Sequence, residues 1–328
     1  MSIGFSRHLE NYLEFYNITQ SEFASRLNIS QKHMNEIING KADMSVELIV
    51  AISNLTGISI DFIIKSEYCK KVFDLIEENY TEDELKELLY NKFMLKKLSS
   101  LKWVNFKDIT NNKQNYMDLL LFLKIRDFET LERINEKVLF RKEDNYDNDI
   151  IKVNLWIARC EELAQKQKVK EYIKENFYFL IDDLKNEMEK DTIDILKLQE
   201  ILNNYGIYFV VENVLDGTKI NGCFKVKLRN PAIYINKEYK TKYDFYFELF
   251  HELGHCKSDY NVGRSKVIID GDEKREKRAD NFAMITILGK DVFDKLDLNR
   301  ELNEKDLNKI SKENNIPIEL LRKYKFRK

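Results

Sequence analysis

His251-Glu252-Leu253-Gly254-His255 is five residues out of 328 and constrains the chain more than any other run. On a helix, residues four apart stack on one face, so His251 and His255 can grip one zinc ion between them. Glu252 then points to the open side of the metal, where a water would sit. Zinc lowers the pKa of such a water toward neutrality, and a neighbouring carboxylate can take its proton during attack on a carbonyl. Thr241 followed by Asp244 is a capping box, which predicts a helix starting just past Thr241. Leu249, Phe250 and Leu253 give that helix a face to bury. Gly254 costs a helix interior roughly 1 kcal/mol against Ala, so its presence between the histidines predicts close approach of another backbone.

Two histidines leave a catalytic zinc one protein ligand short. The chain has four histidines in all, and the other two, His8 and His33, lie near the N-terminus. A carboxylate is therefore expected to complete the set. Glu276 and Asp280, four apart on a predicted helix, supply two candidates, one to ligate and one to hold a ligating imidazole. Glu273 reads as part of an exposed, charge-laced helix face.

With Gly222-x-Phe224 and the run Ala232–Asn236 upstream, the two motifs make residues 193–289 resemble the ImmA/IrrE family of metallo-endopeptidases. The carrying residues are Phe247 through His255, then Glu276-x-x-Ala279-Asp280-x-Phe282-Ala283. The resemblance implies a zinc site of His251, His255 and Glu276, Glu252 as general base, and Asp280 behind a ligand. It also implies a protein substrate, a helix-turn-helix repressor cut to release silenced genes.

The N-terminal residues form a second unit. Phe5–Tyr16 reads as an amphipathic helix, and Thr19-Gln20-Ser21-Glu22 as a capped start to the next. Asn28-Ile29-Ser30 is a short turn, after which Ser30 caps a third helix that stops at Asn39-Gly40. Helices over Val46–Thr56 and from Ile60 follow. Short helices joined in this way describe a helix-turn-helix. Thr19-Gln20-x-x-Phe23-Ala24 and Asn35-Glu36-Ile37-Ile38-Asn39-Gly40-Lys41 resemble the XRE/Cro family, HigA-type antitoxins in particular. In such folds the third helix enters the major groove. Gln31, Lys32, His33 and Asn35 would then meet base edges and phosphates, with Gln20 and Lys41 on the backbone. Five basic residues in this segment (Arg7, Arg26, Lys32, Lys41, Lys65) face seven acids (Glu10, Glu14, Glu22, Glu36, Asp43, Glu47, Asp61), so affinity for DNA is expected to be modest and salt-sensitive.

From Gly57 to Gly206 there is no glycine or proline between, and the stretch reads as consecutive helices near 115–140, 149–165, 168–190 and 192–204. Asn111–Asn115 and Lys142–Asn148 are its polar breaks. Trp103 and Trp156 read as core. After Gly206, the runs Ile207–Val211, Gly222–Leu228 and Ala232–Asn236 read as short strands of a small sheet beside the zinc helix. Asp294–Lys328 returns to helix, with Pro317 opening the last one and a basic end from Arg322.

The expected class is mainly α with a small β-sheet, an α+β arrangement. Its parts are a helix-turn-helix domain at 1–68, a helical linker or sensor region at 69–190, a zincin-like metallopeptidase domain at 191–290 and a helical extension at 291–328. Net charge is −2, which gives no global basic field. No apolar run reaches the roughly 18 residues a membrane span needs, and the start Met1-Ser-Ile-Gly-Phe-Ser-Arg is not a signal peptide. The scattered Cys69, Cys160, Cys223 and Cys256 read as reduced thiols, with Cys256 turned away from the metal. A cytoplasmic regulatory zinc endopeptidase with its own operator-binding head follows, with Tyr234, Tyr243 and Tyr246 as oxyanion candidates. A homodimer is compatible with it. The alternative is a repressor or antitoxin whose peptidase-like domain is a sensor or dimerisation scaffold.

Overall fold

Side-chain caps start the helices of the N-terminal unit. The computed structural model describes residues 4–135, 138–139, 146–269, 273–298, 302–314 and 316–325, and divides the chain into two compact units, 1–121 and 122–328. The first opens with α1 (Phe5–Phe15), α2 (Gln20–Arg26), α3 (Gln31–Ile38), α4 (Val46–Thr56) and α5 (Ile60–Asn79). Thr19, Ser30, Ser45 and Ser59 each accept a hydrogen bond from the backbone N–H three residues on, satisfying a donor that the helix leaves orphaned. Glu22 does not close a box at Thr19; its carboxylate takes Arg26 instead. The apolar faces of these helices meet in one core of Phe5, Leu9, Phe23, Met34, Ile37, Ile52 and Ile63.

The glycine-free middle is broken more often than its composition predicts. The expected helix over 115–140 is two, Asn112–Leu123 and Phe128–Asn135, separated at Lys124, which adopts a positive φ of 55° without being glycine. The expected helix over 168–190 is α-helical only at Phe177–Met188, after a 3-10 turn at Lys174–Asn176. The polar break 142–148 falls partly, and the basic end 322–328 partly, outside the described residues. Trp103 and Trp156 are buried, as expected of core.

The second unit holds a mixed sheet of β1 (Val138–Leu139), β2 (Tyr208–Glu212), β3 (Gly222–Lys227), β4 (Asn230–Asn236) and β5 (Val267–Ile268), in the order β1-β5-β3-β4-β2. β3 and β4 form an antiparallel hairpin, and β2 lies parallel to β4. Strand alternation gives the sheet two distinct faces. Phe224, Ile233 and Ile235 share a core with Phe245, Leu249 and Leu253 of the helix Lys242–Ser258. Tyr234, on the opposite face, meets Trp156 of the helix Tyr146–Gln165, ring to ring at 6.5 Å. The sheet is thus a central layer with helices on both sides. The protein is mainly α with a small mixed sheet, and no helix among the described residues is long and apolar enough to cross a membrane.

Candidate metal centre and helix-turn-helix

Thr241 and Asp244 close their capping box, and the helix runs Lys242–Ser258 as expected. It packs most heavily against Glu273–Leu288, and the seam between them is set by Gly254. A methyl group there would lie 2.9 Å from Ala279 Cα, so only glycine permits the approach. The seam brings three donors together. His251 Nε2 is 3.2 Å from Glu276 Oε2, His255 Nε2 is 3.3 Å from Glu276 Oε1, and the two Nε2 atoms are 3.2 Å apart.

These spacings fit a tetrahedral ion. Donors about 2.0–2.1 Å from a tetrahedral centre stand about 3.4 Å from one another. Two imidazole nitrogens and a carboxylate are also the donor chemistry of a zinc site. Each imidazole is held from behind. His251 Nδ1 meets Asp280 Oδ1 at 2.9 Å, and His255 Nδ1 meets Asp259 Oδ2 at 3.0 Å, which leaves both Nε2 atoms for the shared centre. Asp259 has no role in the expectations from sequence, although a carboxylate four residues after the second histidine is a local signal for one. It is buried, and Arg278 and Arg275 meet its other oxygen at 3.0 and 3.3 Å.

Electrostatics follow from this geometry. Burial opposes charge on His255, but hydrogen bonds to Asp259 and Glu276 outweigh it and raise its pKa to about 9. His251 is raised well above the ordinary value in the same way, through Asp280 and Glu276. Glu276, despite its burial, is held far below the usual carboxylate range by the two imidazoles. Glu252 behaves oppositely. Burial pushes its carboxyl up to about 8 against the pull of His251 and His255. Its Oε2 has no hydrogen-bond partner among the described residues. A methyl group on Gly222 would come within 2.6 Å of Glu252 Oε1, so the bare backbone of β3 is what makes room for this side chain.

Other candidates fall elsewhere. Cys256 is buried and donates to Tyr172 Oη at 3.6 Å, with burial lifting its thiol to about 12, as a packing residue. Tyr234 leaves the site because its strand turns it to the far face of the sheet. Tyr246 is about 140° around the helix from His251 and stacks on Phe250. Tyr243 is half-buried against the apolar core. Glu273 is exposed.

In the N-terminal unit, α2 and α3 are joined by a turn in which Asn28 has φ 53°. Gln31, Lys32 and Asn35 are exposed on α3, and His33 is half-buried. Glu36 lies 3.9 Å from Lys32 and 3.7 Å from His33, offsetting part of their charge. Gln20 begins α2, half-buried, and Lys41 is exposed beyond α3. Residues 9–63 match the helix-turn-helix family model. The chain therefore carries an XRE-type helix-turn-helix of a DNA-binding family at its N-terminus. No curated protein and no solved structure matches the chain.

Proposed function

We propose that this protein is a cytoplasmic zinc metallo-endopeptidase that hydrolyses a peptide bond in a helix-turn-helix repressor and carries its own operator-binding head. The observation that carries this reading is the meeting of His251, His255 and Glu276 beside a carboxylate oxygen of Glu252 that has no hydrogen-bond partner among the described residues. His251, His255 and Glu276 would hold the ion. Asp280 and Asp259 fix the imidazole orientation and tautomer. Zinc, when bound, supplies Lewis-acid polarisation and acidifies a water toward neutrality. Glu252 Oε2 takes the proton of the attacking water and returns it to the leaving amine nitrogen. A carboxyl lifted toward neutrality by burial suits both transfers.

The helix-turn-helix match favours a second reading, in which the chain is a repressor or antitoxin and the zincin-like unit serves as a sensor or dimerisation scaffold. Glu252→Gln separates the two. The substitution keeps the side-chain shape and spares all three ligands, so the variant should retain the metal and bind operator DNA. It should lose cleavage of the partner repressor by about 10²-fold or more, the scale of a general base. In cells the wild type should derepress its target genes while the variant leaves them silent. Equal derepression by both would establish the scaffold reading.

A further inference from the structure

We infer that the second unit holds a binding site for a phosphorylated small organic molecule, in a cavity on the Lys225 face of the sheet. The cavity measures about 350 Å³, within the usual range for small-ligand sites. Its apolar lining comes from Leu131, Ile157 and Ala158. Among the described residues, Lys124, Lys225, Arg264 and Lys266 stand around it against one carboxylate, Glu161, a surplus of three positive charges. Glu161 is already engaged by Lys225. No carboxylate among the described residues pairs with Lys124, Arg264 or Lys266.

Lys227 extends the cluster, two residues from Lys225 on the same face of β3. Its amine is buried without a hydrogen-bond partner among the described residues and lies 5.3 Å from the Tyr208 ring centroid. Burial lowers its pKa, with Lys124 and Lys225 adding to the effect against Glu161. Like charges crowded at the mouth of an apolar cavity repel one another unless an anion joins them. A carboxylate would offset only one of these surplus charges, whereas a phosphate monoester carries close to two and offers more acceptor oxygens. The cavity would take its apolar body. The wall formed by residues 263–267 continues the chain from Asp259, so an occupant touches the segment next to the candidate metal centre.

The test is calorimetric titration of the full-length chain with phenyl phosphate, inorganic phosphate and phenol. Phenyl phosphate should bind at one per chain, inorganic phosphate more weakly, and phenol not measurably. Lys124→Glu with Lys266→Glu, both on the exposed rim, should weaken phenyl phosphate at least tenfold without altering thermal unfolding. Ala158→Phe, which fills the cavity, should remove phenyl phosphate binding while sparing that of inorganic phosphate. If Ala158→Phe unfolds the chain, the lysine pair decides alone. No saturable binding by the wild type, or binding unchanged in the lysine variant, overturns the proposal.

Discussion

Each imidazole of the candidate metal centre has one nitrogen committed to a carboxylate and one left for the shared centre, and this fixes how the site responds to acid. A metal takes neutral imidazole, so it must displace the protons that Asp259, Asp280 and Glu276 help His251 and His255 to retain. Zinc affinity should therefore fall as pH drops below about 9, by at least roughly tenfold from about pH 8 to about pH 6, since each displaced proton is worth up to tenfold per unit. Competition against a calibrated chelator measures this. Metal-free protein should show the opposite trend. His255 titrates near 9 when folded and near about 6.5 when unfolded, so the folded state holds the extra proton between those values. Its stabilisation is complete below that window and is lost as pH rises through it. Urea midpoints at both ends of the window, with and without metal, should move in opposite directions. Parallel movement would show that these imidazoles do not govern the site.

At the scale of the element, α3 presents Gln31, Lys32 and Asn35 to solvent, and the charge of Lys32 is partly offset by Glu36. Replacing Gln31 and Lys32 by Ala should cost about 1–3 kcal/mol of operator affinity for each base edge that goes unread. Wild-type affinity should fall steeply with salt. Titration against a palindromic operator from the chain's own promoter checks both, and an unchanged affinity would move the reading surface off α3. These elements were legible because their signals are local. Thr19, Ser30 and Thr241 announce helix starts within three residues, and His251 and His255 share a face by spacing alone. What depends on distant pairing was not legible. No spacing places Gly222 over Glu252, because that approach needs β3 to cross the helix Lys242–Ser258. The breaks at Met94, Lys102 and Lys124 were hidden because residues with ordinary side chains take the left-handed conformation there. β1 is two residues long and pairs with β5 from far along the chain, so its sequence carries no period to detect.

At the scale of the molecule, an ion at the candidate centre would join two helices of the second unit, and all three residues that would hold it belong to that unit. Ligand linkage at a thousandfold excess over Kd adds about 4 kcal/mol to whatever binds the ion. Chelation should therefore lower the melting transition of residues 122–328 by roughly 8–16 °C, the shift such a loss produces in a unit of this size. Operator binding by the helix-turn-helix should be unaffected. Differential scanning calorimetry with and without chelator, read beside operator titrations, distinguishes the two. DNA affinity that follows the metal would show that the units communicate.

The seam at Gly254 and Ala279 also has a bearing on ion size. Gly254 lies between His251 and His255, and Ala279 lies between Glu276 and Asp280, so the helix separation there sets how far Glu276 stands from the two imidazoles. Gly254→Ala must push the helices apart, because the atom it meets at 2.9 Å is Ala279 Cα and cannot swing aside. A wider span suits a larger ion, and metal sites select among ions by geometry more than by raw affinity. The variant should shift preference from zinc toward cadmium, read as the ratio of the two affinities in competition. Position 254 would then act as a gauge, with the hydrogen of a glycine limiting the radius of any ion the candidate centre takes.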